Sequence, residues 1–433
     1  MRNPVSIRSV ERTTVSDALA PPRIGVLGTS PAARRVWQQA QRAGMTVVAV
    51  GGCNATEAVA FIHACGGDVV YQEQHQGGVG PQAVNTARAC TYDELVKDSN
   101  VDVVYMTLPV AKRDTWVSRC IQRRKHILLS VPAAPSAALL QKWIERATPL
   151  QLLLTDDAAL MYGTRMQRVE QMFRSVGENT IGELRNLRVC CSSGSGGATA
   201  GAFTTTCNDT DSKNGENKNS TDPGLGVLGD LGWLAVAAVL HLMQYAMPKA
   251  VLGRAVQRRG GGSDSITEFS GELIFAPVTG QSVVTATLYV NHHLAAAPVV
   301  AEQSLIAYGT TGSVVLHDLI VPAPDVDGSV AVTVASHASV QGAQLRRNLR
   351  RETELRITES VPWAELPWHN LRGALVPDLN GTAHGFASRF RGNTEEATAY
   401  LRRTYVTQTV IDALREAAGM TLTAQQAEGS VSV

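Results

Sequence analysis

The 433-residue chain has no long apolar run, and none approaches the ~18 residues that a membrane-spanning helix requires. Residues 1–22 lack the compact apolar block of a secretory signal. Arg2, Arg8 and Arg12 stand among Ser and Thr there, but Glu11 and Asp17 dilute a transit-peptide pattern. The expectation is a cytoplasmic protein with no membrane partner. Neither sign of charge is in excess: 39 Lys plus Arg stand against 38 Asp plus Glu, which gives no electrostatic reason to expect a nucleic-acid partner. The seven cysteines are odd in number and include no Cys-x-x-Cys pair, so neither zinc nor a redox switch is indicated. All seven read as reduced packing residues, with adjacent Cys190 and Cys191 on the two faces of one strand. Walker loops, Gly-x-Ser-x-Gly elbows, zinc signatures and internal repeats are missing as well.

What is present is a composition able to bury a core, 44% hydrophobic and 18% charged. The length exceeds the ~250–300 residues at which a single core stops growing, so at least two domains are expected. From Arg23 onward, short β-rich runs (24–27, 47–50, 69–71, 101–108, 126–129, 150–155) alternate with helical stretches (31–43, 55–65, 91–97, 114–124, 136–147). That rhythm belongs to βαβ units, and near-continuous apolar runs suit parallel strands covered on both faces. Beyond a helical run at 231–245 come strand-like segments at 250–257, 267–276, 281–290, 302–308 and 313–316, with Gly or Pro breaks between them. The fold class that follows is an α/β Rossmann domain with a mostly parallel sheet, then an α+β domain with an open, largely antiparallel sheet. The expected division is a flexible segment 1–22, a dinucleotide-binding domain 23–155 with an insert at 72–90, a substrate and oligomerisation domain 156–420, and a tail 421–433. The stretch 192–222 within the second domain is nearly devoid of large apolar residues and reads as a mobile insert.

The strongest local motif is Arg23-Ile-Gly25-Val-Leu-Gly28-Thr29-Ser30-Pro31-Ala32-Ala33, a strand running through a turn into a helix. In the dinucleotide register Gly28 takes the tight turn, Ser30 sits where a second glycine lets backbone approach the pyrophosphate, and Ala33 permits close helix–strand packing. Ser30 is also a good N-cap and Pro31 a good first helical residue, so the helix start should offer N–H groups and a positive dipole end to a phosphate. The alternative is a plain βα turn that binds nothing. At the end of the next strand, where an acid grips the ribose or an Arg takes a 2′-phosphate, the sequence has Gly51-Gly52-Cys53-Asn54. Neither NAD nor NADP is preferred by those four residues.

Further segments follow in order: Asp102-Val-Val-Tyr-Met-Thr-Leu108-Pro109, Lys125-His-Ile-Leu-Leu-Ser130-Val131-Pro132, Ile181-Gly182-Glu183-Leu184, Asp222-Pro-Gly-Leu-Gly-Val-Leu-Gly229-Asp230-Leu-Gly-Trp233, and the turn 306–312 followed by Ser313-Val-Val-Leu. Together with the glycine turn, this collinear set resembles the Gfo/Idh/MocA oxidoreductases, and within them the dihydrodiol or xylose dehydrogenase-like branch, over roughly residues 23–420. The resemblance implies a bound NAD or NADP, with Gly52, Cys53, Leu108, Pro109, Ser130 and Val131 joining residues 28–33 around it. The nicotinamide would face a small, sugar-like or cyclic polyol substrate held against the second sheet, in a homo-oligomer, commonly a dimer.

The resemblance also exposes departures. Where the family usually has Glu-Lys-Pro after the fifth strand, this chain has Ser130-Val131-Pro132, and valine can neither donate a proton nor stabilise an alkoxide. Four residues after Asp230, where the family places a Tyr or His on the same helix face, stands Leu234. Arg113 replaces the His that commonly follows the Leu-Pro segment. Asp230 is thus the surviving catalytic candidate, with helix capping as its structural alternative. Tyr162 and His241 are the other titratable candidates; half-buried packing and a core-facing helix position are their commoner uses. A non-catalytic relative that senses a ligand or supports assembly stays open beside the enzyme. His292 and His293 fall on opposite faces of a strand and cannot chelate one ion, so no metal is expected. Arg346, Arg347, Arg350 and Arg351 read as a basic helical face followed by Glu352, Glu354 and Glu359, a solvated or subunit-contact surface.

Overall fold

The computed structural model describes residues 21–70, 86–158, 163–174, 181–194, 225–258, 266–276, 282–293, 303–317, 319, 329–339, 348–358, 365–377, 390–392 and 394–420. Its first half is a seven-stranded parallel sheet built from β1 (Arg23–Leu27), β2 (Thr46–Gly52), β3 (Asp68–Val69), β4 (Thr86–Thr91), β5 (Val103–Met106), β6 (His126–Leu129) and β7 (Leu154–Asp156). The strand order is β3-β4-β2-β1-β5-β6-β7, so the winding reverses between β1 and β5. In an open parallel sheet this reversal creates the crevice where ligands bind. Every residue of β5 and β6 is buried, as a sheet covered on both faces requires.

Local chemistry sets the helix starts. Ser30 caps α1 (Pro31–Arg42) by accepting from Ala33 N–H, and Asn54 caps α2 (Ala55–Ala64) by accepting from Glu57 N–H. Thr91 and Glu94 form a capping box on α3 (Tyr92–Lys97), and Ser136 caps α5 (Ala137–Ala147); α4 (Arg113–Gln122) lies between them. After α6 (Thr164–Arg174) the chain enters an eight-stranded sheet: β8 (Leu184–Gly194), β9 (Ala250–Arg258), β10 (Ile266–Phe275), β11 (Val284–His293), β12 (Gln303–Gly309), β13 (Gly312–His317), β14 (Ser329–Ser339) and β15 (Asn348–Thr358). Its order is β15-β14-β13-β12-β8-β11-β10-β9, antiparallel throughout except for β8 beside β11. Helix α7 (Gly226–Leu242), buried along nearly its whole length, covers one face. On the other face Leu252, Val256 and Tyr289 are exposed.

The parallel sheet followed by a mainly antiparallel one is the expected architecture. Three local expectations fall differently. Residues 348–358 form β15 and not a helix: the segment pairs with β14 over its whole length at the edge of the sheet, where charged side chains such as Arg and Glu discourage further strand pairing. Thr86–Thr91 is a sheet strand inside the stretch read as an insert, whose residues 71–85 lie outside the described set. Ser192 and Ser193 belong to β8, while residues 195–224, most of the second insert, lie outside it, as do 1–20, 421–433 and Arg346 and Arg347.

The chain finally returns to the first sheet. Trp368 of α8 (Leu366–Ala374) packs against Tyr105 of β5 with ring centroids 5.8 Å apart and planes tilted by 56°, and Phe390 O, in the short strand pair β16 (Leu375–Pro377) and β17 (Phe390–Gly392), lies 2.9 Å from His126 Nε2. The last helix, α9 (Thr394–Ala417), lies against α5, β7, α7 and β9, touching both sheets. Among the described residues no helix is long and apolar enough to cross a membrane.

Candidate functional site

The carboxyl ends of β1, β2, β5, β6 and β7 converge beside the reversal of winding. At the end of β1, Gly28 has φ +112° and donates its N–H to Gly51 O at 3.0 Å. A Cβ there would overlap Thr107 Oγ1, and Thr107 is itself fixed to Leu27 O by its N–H (3.0 Å) and its hydroxyl (3.2 Å). Glycine is thus required twice, by backbone conformation and by close approach. Ser30, buried, spends its oxygen on the cap at 3.3 Å from Ala33 N and leaves the hydroxyl proton to find a second partner. The opening amides of α1 therefore lie at the crevice, the arrangement that holds a pyrophosphate. Pro31 and Ala32 open this helix, and Ala33 is fully buried against the sheet. Gly52 passes close to α2, where a Cβ would sit 2.8 Å from Asn54 O, and Cys53 beyond it is exposed.

The loops after β5 and β6 are joined by Arg113. Fully buried, its guanidinium donates from Nε to Leu108 O (2.8 Å), from Nη1 to the carbonyls of Ser130 (2.6 Å), Pro132 and Ala133 (3.1 Å), and from Nη2 to Ser130 Oγ (2.7 Å). Arg113 is thus a clamp on backbone carbonyls. It holds Leu108, Pro109, Ser130 and Val131 together at one end of the crevice. Val131 is buried, and its N–H donates to Asp157 Oδ1 at 3.1 Å.

Asp157, just past β7, is a polar group that the sequence does not single out. Its Oδ2 accepts from Tyr105 O–H at 2.6 Å. Burial raises its pKa from 3.8 to about 6, assisted by neighbouring Asp156 and opposed by the Tyr105 and Val131 hydrogen bonds and by Arg113. Asp156 is also pushed upward by burial, against its bond from Thr404 Oγ1 at 2.6 Å. A buried carboxyl with a raised pKa thus lies beside Val131, bonded to its backbone N–H.

The first turns of α7 close the opposite wall. A Cβ on Gly229 would lie 3.2 Å from Pro132 Cγ, so the helix runs directly beside the Ser-Val-Pro loop. The helix begins at Gly226, which places Asp230 beyond the first turn and removes its role as an N-cap. Asp230 Oδ2 instead lies 3.5 Å from His292 Nε2, and His292 Nδ1 is 2.6 Å from Ser193 Oγ. His292 and Ser193 are register partners on β11 and β8, on the face that buries Leu288, Val290, Val189 and Cys191 beneath α7. Both Asp230 and His292 keep part of their surface open, at 17% and 19% exposure.

The remaining candidates separate from this group. Leu234, 4% exposed, is core. His241 lies about 16 Å further along α7 by helical rise, beside Glu170 Oε2 (3.7 Å) and edge-on to Tyr245. Burial and the charges of Arg403 and Arg174 lower its pKa to about 4. Tyr162 lies outside the described residues. Among the described residues no group of His, Cys, Asp and Glu could hold a metal ion. A cavity of about 740 Å³ lined by Arg23, Arg88, Glu94, Lys97 and Asp98 sits at the opposite, amino-terminal ends of β1 and β4, away from the crevice.

No protein-family model matches the chain. A dTDP-3,4-didehydro-2,6-dideoxy-alpha-D-glucose 3-reductase of Streptomyces antibioticus is 27% identical over 223 residues, 51% of this chain and 56% of that protein, so the match spans little more than half the relative's length. An uncharacterized oxidoreductase of Rhizobium meliloti is 27% identical over 257 residues, covering 59% of this chain and 67% of its own. Among solved structures, a 3-ketoreductase from Actinomadura kijaniata in complex with NADP superposes with a TM-score of 0.61 at 17% identity, over 92% of this chain and 97% of that one. The chain has the fold of these oxidoreductases.

Proposed function

We propose that this chain is an NAD(P)-dependent oxidoreductase of the Gfo/Idh/MocA kind, interconverting a carbonyl and a hydroxyl on a sugar-like or cyclic polyol substrate. The observation that carries the proposal is the Gly28 turn: a left-handed glycine, locked against Thr107, aims the start of α1 at the reversal of winding in a parallel sheet. Gly28, Thr29, Ser30 and the first amides of α1 would hold the pyrophosphate. Leu108, Pro109, Ser130 and Val131, set in place by Arg113, would line the nicotinamide end. The dinucleotide, when bound, supplies or accepts the hydride.

The chain's own task is the proton. With His292 between Ser193 Oγ and Asp230 Oδ2, the carboxylate orients the imidazole, and a proton on Nδ1 can pass to Ser193 Oγ as the serine gives its own to a developing alkoxide. In the oxidative direction the same groups withdraw a hydroxyl proton. This relay supplies from the sheet what Val131 and Leu234 cannot. The exposed Leu252, Val256 and Tyr289 on the sheet's outer face support the further proposal of a homo-oligomer.

The test is nicotinamide fluorescence on mixing the protein with NADH or NADPH, followed by turnover on a panel of keto sugars and polyols. Saturable binding with turnover is expected. If neither nucleotide binds at millimolar concentration the proposal fails, and binding without turnover on any compound would fit a ligand sensor instead.

A further inference from the structure

The dinucleotide fingerprint places an acid at the end of the second strand, where this chain has Gly51-Gly52-Cys53-Asn54. A carboxylate reaches the same place from the next helix. Because Asn54 caps α2 by accepting from Glu57 N–H at 2.8 Å, Glu57 falls in the first helical turn and its side chain folds back along the strand exit. There Oε2 accepts from Cys53 N–H at 2.9 Å, and Oε1 accepts from the Thr29 hydroxyl. Thr29 belongs to the turn after β1 and Cys53 to the exit of β2. The Glu57 carboxylate therefore spans the two loops between which the adenosine half of a dinucleotide lies in this topology.

We propose that Glu57 is the ribose-recognising acid of this site and makes it select NADH over NADPH; the inference rests on the dinucleotide-binding reading above. A carboxylate has about four lone-pair positions, and the two bonds from Cys53 and Thr29 leave acceptors for a pair of vicinal ribose hydroxyls. A 2′-phosphate brings negative charge and takes away a donor, so it meets repulsion where the ribose meets hydrogen bonds. The compensating cation is missing from the described residues that form this corner: 28–30 and 53–57 include no Lys or Arg. Arg34 on α1 donates instead to Ala64 O at the far end of α2. The selectivity is opposite to that suggested by the NADP in the similar ketoreductase structure.

The experiment is a pair of fluorescence titrations, NADH and NADPH, on the full chain and on Glu57→Gln. The full chain should bind NADH at least tenfold more tightly than NADPH, and the variant should lose most of that ratio. Glutamine can still tie the loops while removing the charge, its oxygen accepting from Cys53 N–H and its amide group donating to the Thr29 hydroxyl, so a residue that merely tied the loops would leave the ratio intact in the variant. That result, or tighter binding of NADPH by the full chain, would overturn the assignment. Failure of both nucleotides to bind would overturn the dinucleotide site itself, a different outcome from a reversed preference.

Discussion

His292 and Asp230 approach to 3.5 Å across the seam between β11 and α7, and the other nitrogen of the same imidazole meets Ser193 at 2.6 Å. The three residues lie far apart in sequence and share no motif. They meet because β8 and β11 pair in parallel with Ser193 opposite His292, under the helix that carries Asp230.

His292→Gln should lower kcat by about 10²-fold or more while leaving the nucleotide dissociation constant unchanged, as expected for a group that acts only in proton transfer. Steady-state kinetics beside a fluorescence titration read the two effects separately. A parallel loss of nucleotide affinity would mean that the imidazole supports the cofactor and not the reacting oxygen.

Gly28→Ala should abolish nucleotide binding and destabilise the fold together. The new methyl would need φ +112° and the space of Thr107 Oγ1, and a left-handed backbone alone costs an L-residue on the order of 1–3 kcal/mol. Urea unfolding and the same titration measure both. A variant of native stability with intact binding would contradict the role given to the turn.

Arg113→Met should cost at least about 3 kcal/mol, because several buried carbonyls lose their donor at once and each unsatisfied group costs about 1–3 kcal/mol. Arg113→Lys should recover little, since an ammonium cannot reproduce the planar fork reaching from Leu108 to Ala133. Equal stability of the Lys variant and the wild type would show that charge, and not geometry, holds the loops.

Asp157→Asn should stabilise the protein at pH 7.5 but not at pH 4. The folded-state pKa is raised from 3.8 to about 6, so the folded chain binds more protons than the unfolded chain between those values, and wild-type stability declines as pH rises across that window. Above it the accumulated loss is about 3 kcal/mol, which the uncharged amide avoids. Unfolding at the two pH values checks it. An equal effect of the substitution at both would mean that the carboxyl is not held above its ordinary value.

Most of the parallel sheet is legible in the sequence because its strands are continuous apolar runs and its helices start at recognisable caps such as Ser30, Asn54 and Ser136. The nucleotide turn is legible for the same reason, since glycine with positive φ and a capping serine leave local marks. The chemistry is less so. Asp156-Asp157 reads locally like a solvated turn, and the raised pKa of Asp157 exists only because the fold buries that turn, an effect that the hydrogen bonds from Tyr105 and Val131 offset in part. Strand alternation gives the face of His292 but not the element docked there. Segment 348–358 misleads because closely spaced Arg and Glu mimic a charged helix, while an edge strand has its own use for them.

Helix α9 is chemically part of the parallel sheet that precedes it in the chain. Gln408 Oε1 accepts from Ala134 N–H, Asp412 Oδ2 from Ala137 N–H, and Thr404 meets Asp156, so the loop after β6 and the exit of β7 have their polar groups satisfied by the end of the chain. A nascent chain that has emerged only as far as β7 holds the glycine turn complete but leaves the Ala134 and Ala137 amides and the Asp156 carboxyl without their α9 partners. That end of the crevice can take its final shape only once α9 has been made, so a truncation before residue 394 should retain the glycine turn and lose the ordered loop after β6.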